Sequence, residues 1–259
     1  MMTGTSTVGI MYNGGILLAS DTLLSYGSLA KVNNAKRLAI IPSETSNPGK
    51  ASSVVLGASG EYSDFQALVD LLEEKALEQG TTSLMDSLYA EDSGSTTMTA
   101  ESTWNYLRMV LYSRRNKMDP YWNQLIVAGA ASDGQTPFLG TVDKIGTAIG
   151  GTAATGHKTP YAVTGMGAYL ALPLLREKWR PDLSEGEARA LLEDCMRVLF
   201  YRDARASSQI ILAKWTVPTD GQDASTATAL ISEPYQLETH WNASSFQTLT
   251  AHLEGDGGF

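Results

Sequence analysis

The sequence predicts an α+β fold built from antiparallel sheets. Three observations carry that prediction. The elements come in groups (strands, two helices, strands, two helices, strands), whereas a doubly wound parallel sheet would alternate single strands with single helices. Asn13-Gly14-Gly15 lies between the β-rich runs Thr5 to Tyr12 and Ile16 to Ser20, and an Asn-Gly pair tolerates the positive φ that a tight hairpin demands. Finally, a 259-residue chain with 43% hydrophobic and 18% charged residues can enclose a sizeable core.

After the hairpin, Tyr26 to Asn34 reads as a polar connection, and Ala35 to Ile41 as a strand stopped by Pro42. Ser43 to Ser53, with Pro48 and Gly49, is a loop. Val54 to Ala58 is a short buried strand that breaks at Ser59-Gly60. Tyr62, Phe65, Leu68, Val69, Leu72 and Ala76 recur at helical spacing and predict a helix over Glu61 to Gln79. Gly80 to Ala100, rich in Ser, Thr, Gly and acid, is expected to be a loop. Trp104, Leu107 and Leu111 restore helical spacing up to Asp119-Pro120.

Strands return at Leu125 to Ala130 and Phe138 to Val142 across a Ser132-Asp133-Gly134 turn, and Thr147 to Gly150 continues the sheet. A second helical pair follows. Its first member is Tyr169 to Lys178, with Pro173 near the first turn or at a kink. Its second is Ser184 to Tyr201, where Ser184-Glu185-Gly186-Glu187 has the form of a capping box. Ile210 to Val217 and Thr226 to Ile231 are the last strands. From Glu233 the periodicity fails, and Trp241 and Phe246 are the large anchors of a polar tail.

Composition narrows the function. A formal net charge of −9 argues against nucleic acid, because phosphate binding needs a basic face. No run of about 18 apolar residues is present, so no membrane-spanning helix is expected. The opening residues lack a basic segment followed by an apolar core, which places the protein inside the cell. Cys195 is the single cysteine, on the apolar stripe of the last helix, and reads as a buried structural thiol. His157, His240 and His252 have no metal-ligand spacing, so neither a metal nor a cofactor is expected.

Other chemistry finds little support. Gly165-x-Gly167 lacks the third glycine and the preceding strand of a dinucleotide site. No Gly-x-Ser-x-Gly elbow occurs. Glu73-Glu74 and Glu91-Asp92 read as solvated acids. Arg114-Arg115-Asn116-Lys117 is basic within an acidic chain: either a solvated helix end facing the macrodipole, or a contact to an acidic neighbour.

Four stretches carry a family resemblance. Gly4-Thr5 followed by Gly15-Ile16-Leu17-Leu18-Ala19-Ser20-Asp21 resembles the opening of a proteasome β-subunit. Ser25-Tyr26-Gly27-Ser28-Leu29, the run Tyr112 to Asn123, and Met196 to Arg205 are far more specific. They resemble the non-catalytic beta-seven-type subunits of the eukaryotic proteasome core particle, and the likeness runs from about Thr3 to about Leu230. The resemblance implies a four-layer αββα sandwich, the N-terminal nucleophile hydrolase fold, over residues 1–232. It also implies a C-terminal extension over 233–259 that reaches toward the opposite ring.

In active members of that family, cutting the Gly-Thr bond frees a threonine whose α-amine, with a pKa of about 7.7–8.0, serves as base. Thr5 inside a peptide offers only an amide. The resemblance carries a supporting lysine to the position of Arg37, which holds its proton and has a larger planar head. An alignment slipped by one residue would put Lys36 there instead. Two serines of the family fall on Ala168 and Ala206, while Asp21 and Asp203 are kept. Losing linked members of a catalytic unit costs many orders of magnitude. The kept residues may equally serve strand geometry.

The expected function is therefore a catalytically inactive, structural β-ring subunit supporting core-particle assembly and ubiquitin-dependent protein degradation, in cytoplasm and nucleus. Its expected partners are other β subunits of the same and opposite ring and an adjacent α subunit. Arg114, Arg115, Lys117, Trp241 and Phe246 are the expected contacts, with no nucleic acid and no membrane. The alternatives are an active threonine endopeptidase subunit released by cleavage of Gly4-Thr5, and a free-standing amidase.

Overall fold

The computed structural model describes residues 1–42, 53–89, 98–151, 160–217 and 228–239. Two antiparallel sheets lie face to face. The first contains β1 (Met2–Gly4), β4 (Leu24–Tyr26), β5 (Leu29–Val32), β6 (Leu38–Ile41), β7 (Val54–Glu61), β8 (Asn123–Ala130), β9 (Pro137–Val142) and β10 (Ala148–Gly151). Its order is β10-β9-β8-β7-β1-β4-β5, with β6 also paired to β7. The second sheet contains β2 (Thr7–Tyr12), β3 (Gly15–Asp21), β11 (Tyr161–Thr164), β12 (Gln209–Thr216), β13 (Ala229–Ile231) and β14 (Tyr235–Gln236). Its order is β11-β2-β3-β12-β13, and β14 pairs with β12.

The side-chain period of two explains why the central strands read as unbroken apolar runs. In β3, Leu17 and Ala19 face a core shared with Leu192, Cys195 and Leu199, while Ile16 and Leu18 face a second core between the sheets. In β7, Val54 and Leu56 face a third core with Leu68, Leu72 and Leu107, and Val55 turns to the inter-sheet core. Three cores separate four layers, the expected αββα sandwich. Each fully buried Leu or Ile contributes about 1.5–3 kcal/mol.

The first helical layer is α1 (Tyr62–Tyr89) and α2 (Ala100–Asn116). The second is α3 (Gly167–Leu170), α4 (Leu172–Lys178) and α5 (Glu185–Arg202). The predicted capping box at the start of α5 is present: Ser184 and Glu187 each bind the other's backbone N–H. Burial pushes the Cys195 thiol up to about 12, fitting an inert structural position.

Several elements differ from the sequence expectations. The connection expected over Tyr26 to Asn34 is largely the β4–β5 hairpin, whose edge strand is exposed and so shows no alternation. The strand expected to break at Ser59-Gly60 runs on to Glu61. Gly60 holds φ +106 there, and a Cβ would lie 2.1 Å from the Trp122 carbonyl oxygen. Helix α1 continues past Gly80 to Tyr89, through low-propensity Ser and Thr; propensity is a weak prior that context overrides. The helix expected over Tyr169 to Lys178 divides at Ala171, because Pro173 has no N–H to give the preceding turn. Strands β1, β11 and β14 were not expected. Each is two to four residues long, too short to show a period, and forms by pairing to a longer neighbour.

Candidate functional site

Thr5 and Ser6 are the two residues that carry the chain from β1 in the first sheet to β2 in the second. The expected opening strand is thus two strands in different sheets, with Thr5 at the crossing. Asp21 arrives at the same end as the last residue of β3. Arg37 precedes β6, Asp203 caps the C-terminus of α5, and Ala168 sits in α3.

Arg37 lies at the centre. It is 2% exposed and Asp21 is 1% exposed, and the two form an ion pair. The guanidinium also donates to the carbonyl of Ala58 at 3.0 Å, of Ser6 at 3.1 Å, and of Asp21 at 3.1 and 3.3 Å. The second Asp21 carboxylate oxygen accepts the Ser207 amide at 3.1 Å. Burial pushes the Asp21 carboxyl upward from its ordinary value, against the pull of Arg37 and of the Ser207 and Leu23 amides, while Asp203 adds to the rise. A charge that costly to bury is held by a fixed cation and its hydrogen bonds. Lys36 is exposed, so Arg37 is the residue that occupies the site.

Glycines let the backbones meet. A Cβ on Gly4 would lie 2.3 Å from Cδ of Arg37, so the guanidinium stem crosses directly over the Gly4-Thr5 step. Gly165, at φ +63, would put a Cβ 2.2 Å from the Thr5 carbonyl oxygen. The Gly167 amide donates to the Ser6 hydroxyl at 2.9 Å. A strand, β11, does precede Gly165, contrary to expectation; the glycines serve close packing on Thr5-Ser6 rather than a phosphate.

Thr5 is buried, and its hydroxyl has no hydrogen-bond partner. It borders a cleft of about 560 Å³ with Asn123, Met166, Ala168, Tyr169 and Arg205. The Ala168 methyl offers no proton donor or acceptor. Ala206 closes a turn through its amide to the Asp203 carbonyl at 3.1 Å, and likewise offers no side-chain polar atom. One carboxylate oxygen of Asp203 accepts the Arg205 amide at 3.0 Å; the other is buried and unpartnered. Asn123 was missed by sequence reasoning: its amide nitrogen binds the Glu61 carbonyl at 2.8 Å, and its oxygen is buried without a partner.

A family model described as "Proteasome subunit" matches residues 1–214. The chain belongs to the proteasome subunit family. Similar proteins are "Proteasome subunit beta type-4" of Arabidopsis thaliana, 39% identical across 98% of this chain and 88% of the relative. The protein of the same name in Dictyostelium discoideum is 38% identical across 94% and 80%. "Proteasome subunit beta type-7" of Saccharomyces cerevisiae is 35% identical across 82% and 73%.

On this proteasome β-type subunit the expected contact residues have different settings. Arg114 is engaged within the chain: it pairs with Asp119 at 2.6 Å, donates to the Tyr121 hydroxyl at 3.0 Å, and stacks over the Tyr121 ring at 4.6 Å. Arg115 leans over Tyr112, and Lys117 is exposed. Trp241 and Phe246 lie outside the described residues. Of the segment expected to form an extension, Tyr235 and Gln236 pair with β12, and Leu237 is buried in the α5 core. Among the described residues, no group of three acidic, His or Cys side chains is placed to hold a metal, and no helix is long and apolar enough to cross a membrane.

Proposed function

We propose that this proteasome β-type subunit is a catalytically inactive, structural member of the core-particle β-ring. Ring neighbours, the opposite β-ring and an adjacent α subunit are its partners, in cytoplasm and nucleus, and its work serves ubiquitin-dependent degradation by the complex. Residues 233–259 extend the domain, with Trp241 and Phe246 as contacts across the rings.

One observation carries the reading. Every direction in which the Arg37 guanidinium can donate is taken up by the Asp21 carboxylate or by a main-chain carbonyl of Ser6, Asp21 or Ala58. The cation beside Thr5 is a structural tie, and arginine keeps its proton. Two further features support it. Met2–Gly4 are paired on both sides, to β4 and β7, so the residues ahead of Thr5 are built into a sheet. The Thr5 nitrogen is then an amide with no lone pair to act as base.

The unpartnered Thr5 hydroxyl at the cleft favours the second reading, an endopeptidase subunit activated by cutting Gly4-Thr5. Intact mass of the chain from its native complex, after a threonine-directed covalent inhibitor, separates the two. Retention of the residues before Thr5 without an adduct is the expected result. A chain starting at Thr5 and carrying one adduct would establish the endopeptidase.

A further inference from the structure

The C-terminal end of α2 presents a face that the chain leaves unfinished. Met118 stands there in the left-handed region, φ 58, although it is not glycine. Its side chain is 91% exposed. The conformation is imposed from all sides. The amides of Lys117, Met118 and Asp119 bond back to Arg114 and Arg115 carbonyls, and the Arg114 side chain holds Asp119 and Tyr121. Strain of this kind persists where surrounding structure over-determines it, and here its product is an apolar side chain held in water.

A second element completes the face. The turn from β9 to β10 packs against α2 so closely that a Cβ on Gly146 would lie 2.8 Å from Cβ of Tyr112. Lys144 from this turn sits 4.5 Å above the Trp122 ring. Met109, Tyr112, Trp122 and Ile145 are all exposed around Met118.

The charges around these apolar groups have one sign. Arg115, Lys117 and Lys144 have no carboxylate partner among the described residues, although the chain carries a net charge of −9. The nearby acids are committed. Asp119 pairs with Arg114, Asp143 accepts the Ile145 and Thr147 amides, and Asp64 accepts the Trp122 amide. An apolar centre ringed by uncompensated cations fits a protein surface that offers carboxylates around an apolar socket.

We infer that this α2-end face, centred on Met118 and ringed by Arg115, Lys117 and Lys144, docks an acidic surface on a neighbouring subunit. The inference rests on the ring-subunit reading and adds which face is used and what chemistry meets it. Arg114 braces the face from within.

Tagged full-length chain, expressed in the cells it comes from, tests this through its incorporation into core particles. The variants are Lys117→Glu with Lys144→Glu, and Met118→Gly. The charge reversal is expected to lower incorporation on the order of fivefold, with unchanged melting of the isolated chain. Met118→Gly should raise the melting temperature by relieving the backbone while lowering incorporation, opposite signs that a purely structural role would not give. A photo-crosslinker at Met118 should capture a neighbouring subunit through an acidic segment; capture of a second copy, or of nucleic acid, overturns the proposal. Wild-type chain in the particle with both variants incorporated equally sinks this inference alone. Wild-type chain absent from the particle sinks the ring-subunit reading as well.

Discussion

Asp21 and Asp203 are both buried acids beside Thr5, yet they live differently. Asp21 spends one oxygen on Arg37 and the other on the Ser207 amide. Asp203 uses one oxygen to hold the turn after α5 and leaves the other without a partner. The contrast separates two fates for a polar residue when the groups around it change. Asp21 has become the counter-charge of a structural arginine and is bound into the core. Asp203 has kept a local backbone task while the residue at 206 offers it nothing.

The largest effect should come from breaking the first arrangement. Arg37→Met leaves Asp21 buried and unpaired and should cost about 3–5 kcal/mol in denaturant unfolding. Joining it with Asp21→Asn should recover much of that loss, since both charges then go. If the double variant is as unstable as the sum of the two single ones, the pair is not the organising contact. Gly4→Ala presses on the same arginine from the other side and should cost about 1–3 kcal/mol by overpacking, because Cδ is stem rather than a free end. Asp203→Asn should change stability by less than about 1 kcal/mol, the range of substitutions that break no network.

The smallest effect marks the exposed limit of the comparison. Glu187, in the capping box of α5, is held below its ordinary value by the Ser184 backbone and hydroxyl and by Arg180. Its support for the helix start is present above the unfolded carboxyl's pKa and is lost as pH falls through the lower folded value. An acid titration followed by the Ser184 amide resonance should show that loss while the rest of the spectrum is unchanged.

Much of this site was visible beforehand as residue types, and little of it as geometry. Gly4-Thr5, Asp21 and Arg37 stand out in the chain, and so does the capping box, because each is a local pattern. That Arg37 would bind three carbonyls could not be read, since Ser6, Asp21 and Ala58 come together only when two sheets meet. The same holds for Asn123, whose polar role depends on Glu61, far away in sequence. Short strands were the other gap. Met2–Gly4 carries no alternation, and its pairing is decided by β4 and β7. Long periodic stretches such as α5 and β12 were read nearly to their ends because burial repeats within them.

The position of β1 in the first sheet has a consequence for synthesis. β1 joins β7 to β4, so the β4–β5 hairpin connects to the rest of that sheet through three residues near the chain's start. Residues 2–4 leave the ribosome before β7, at 54–61, has been made. They must therefore wait, unpaired, for a partner more than fifty positions later, and such distant pairings form slowly. The crossing at Thr5 is consequently among the last parts of the first sheet to be fixed, and a newborn chain carries its N-terminal strand as an open edge until then.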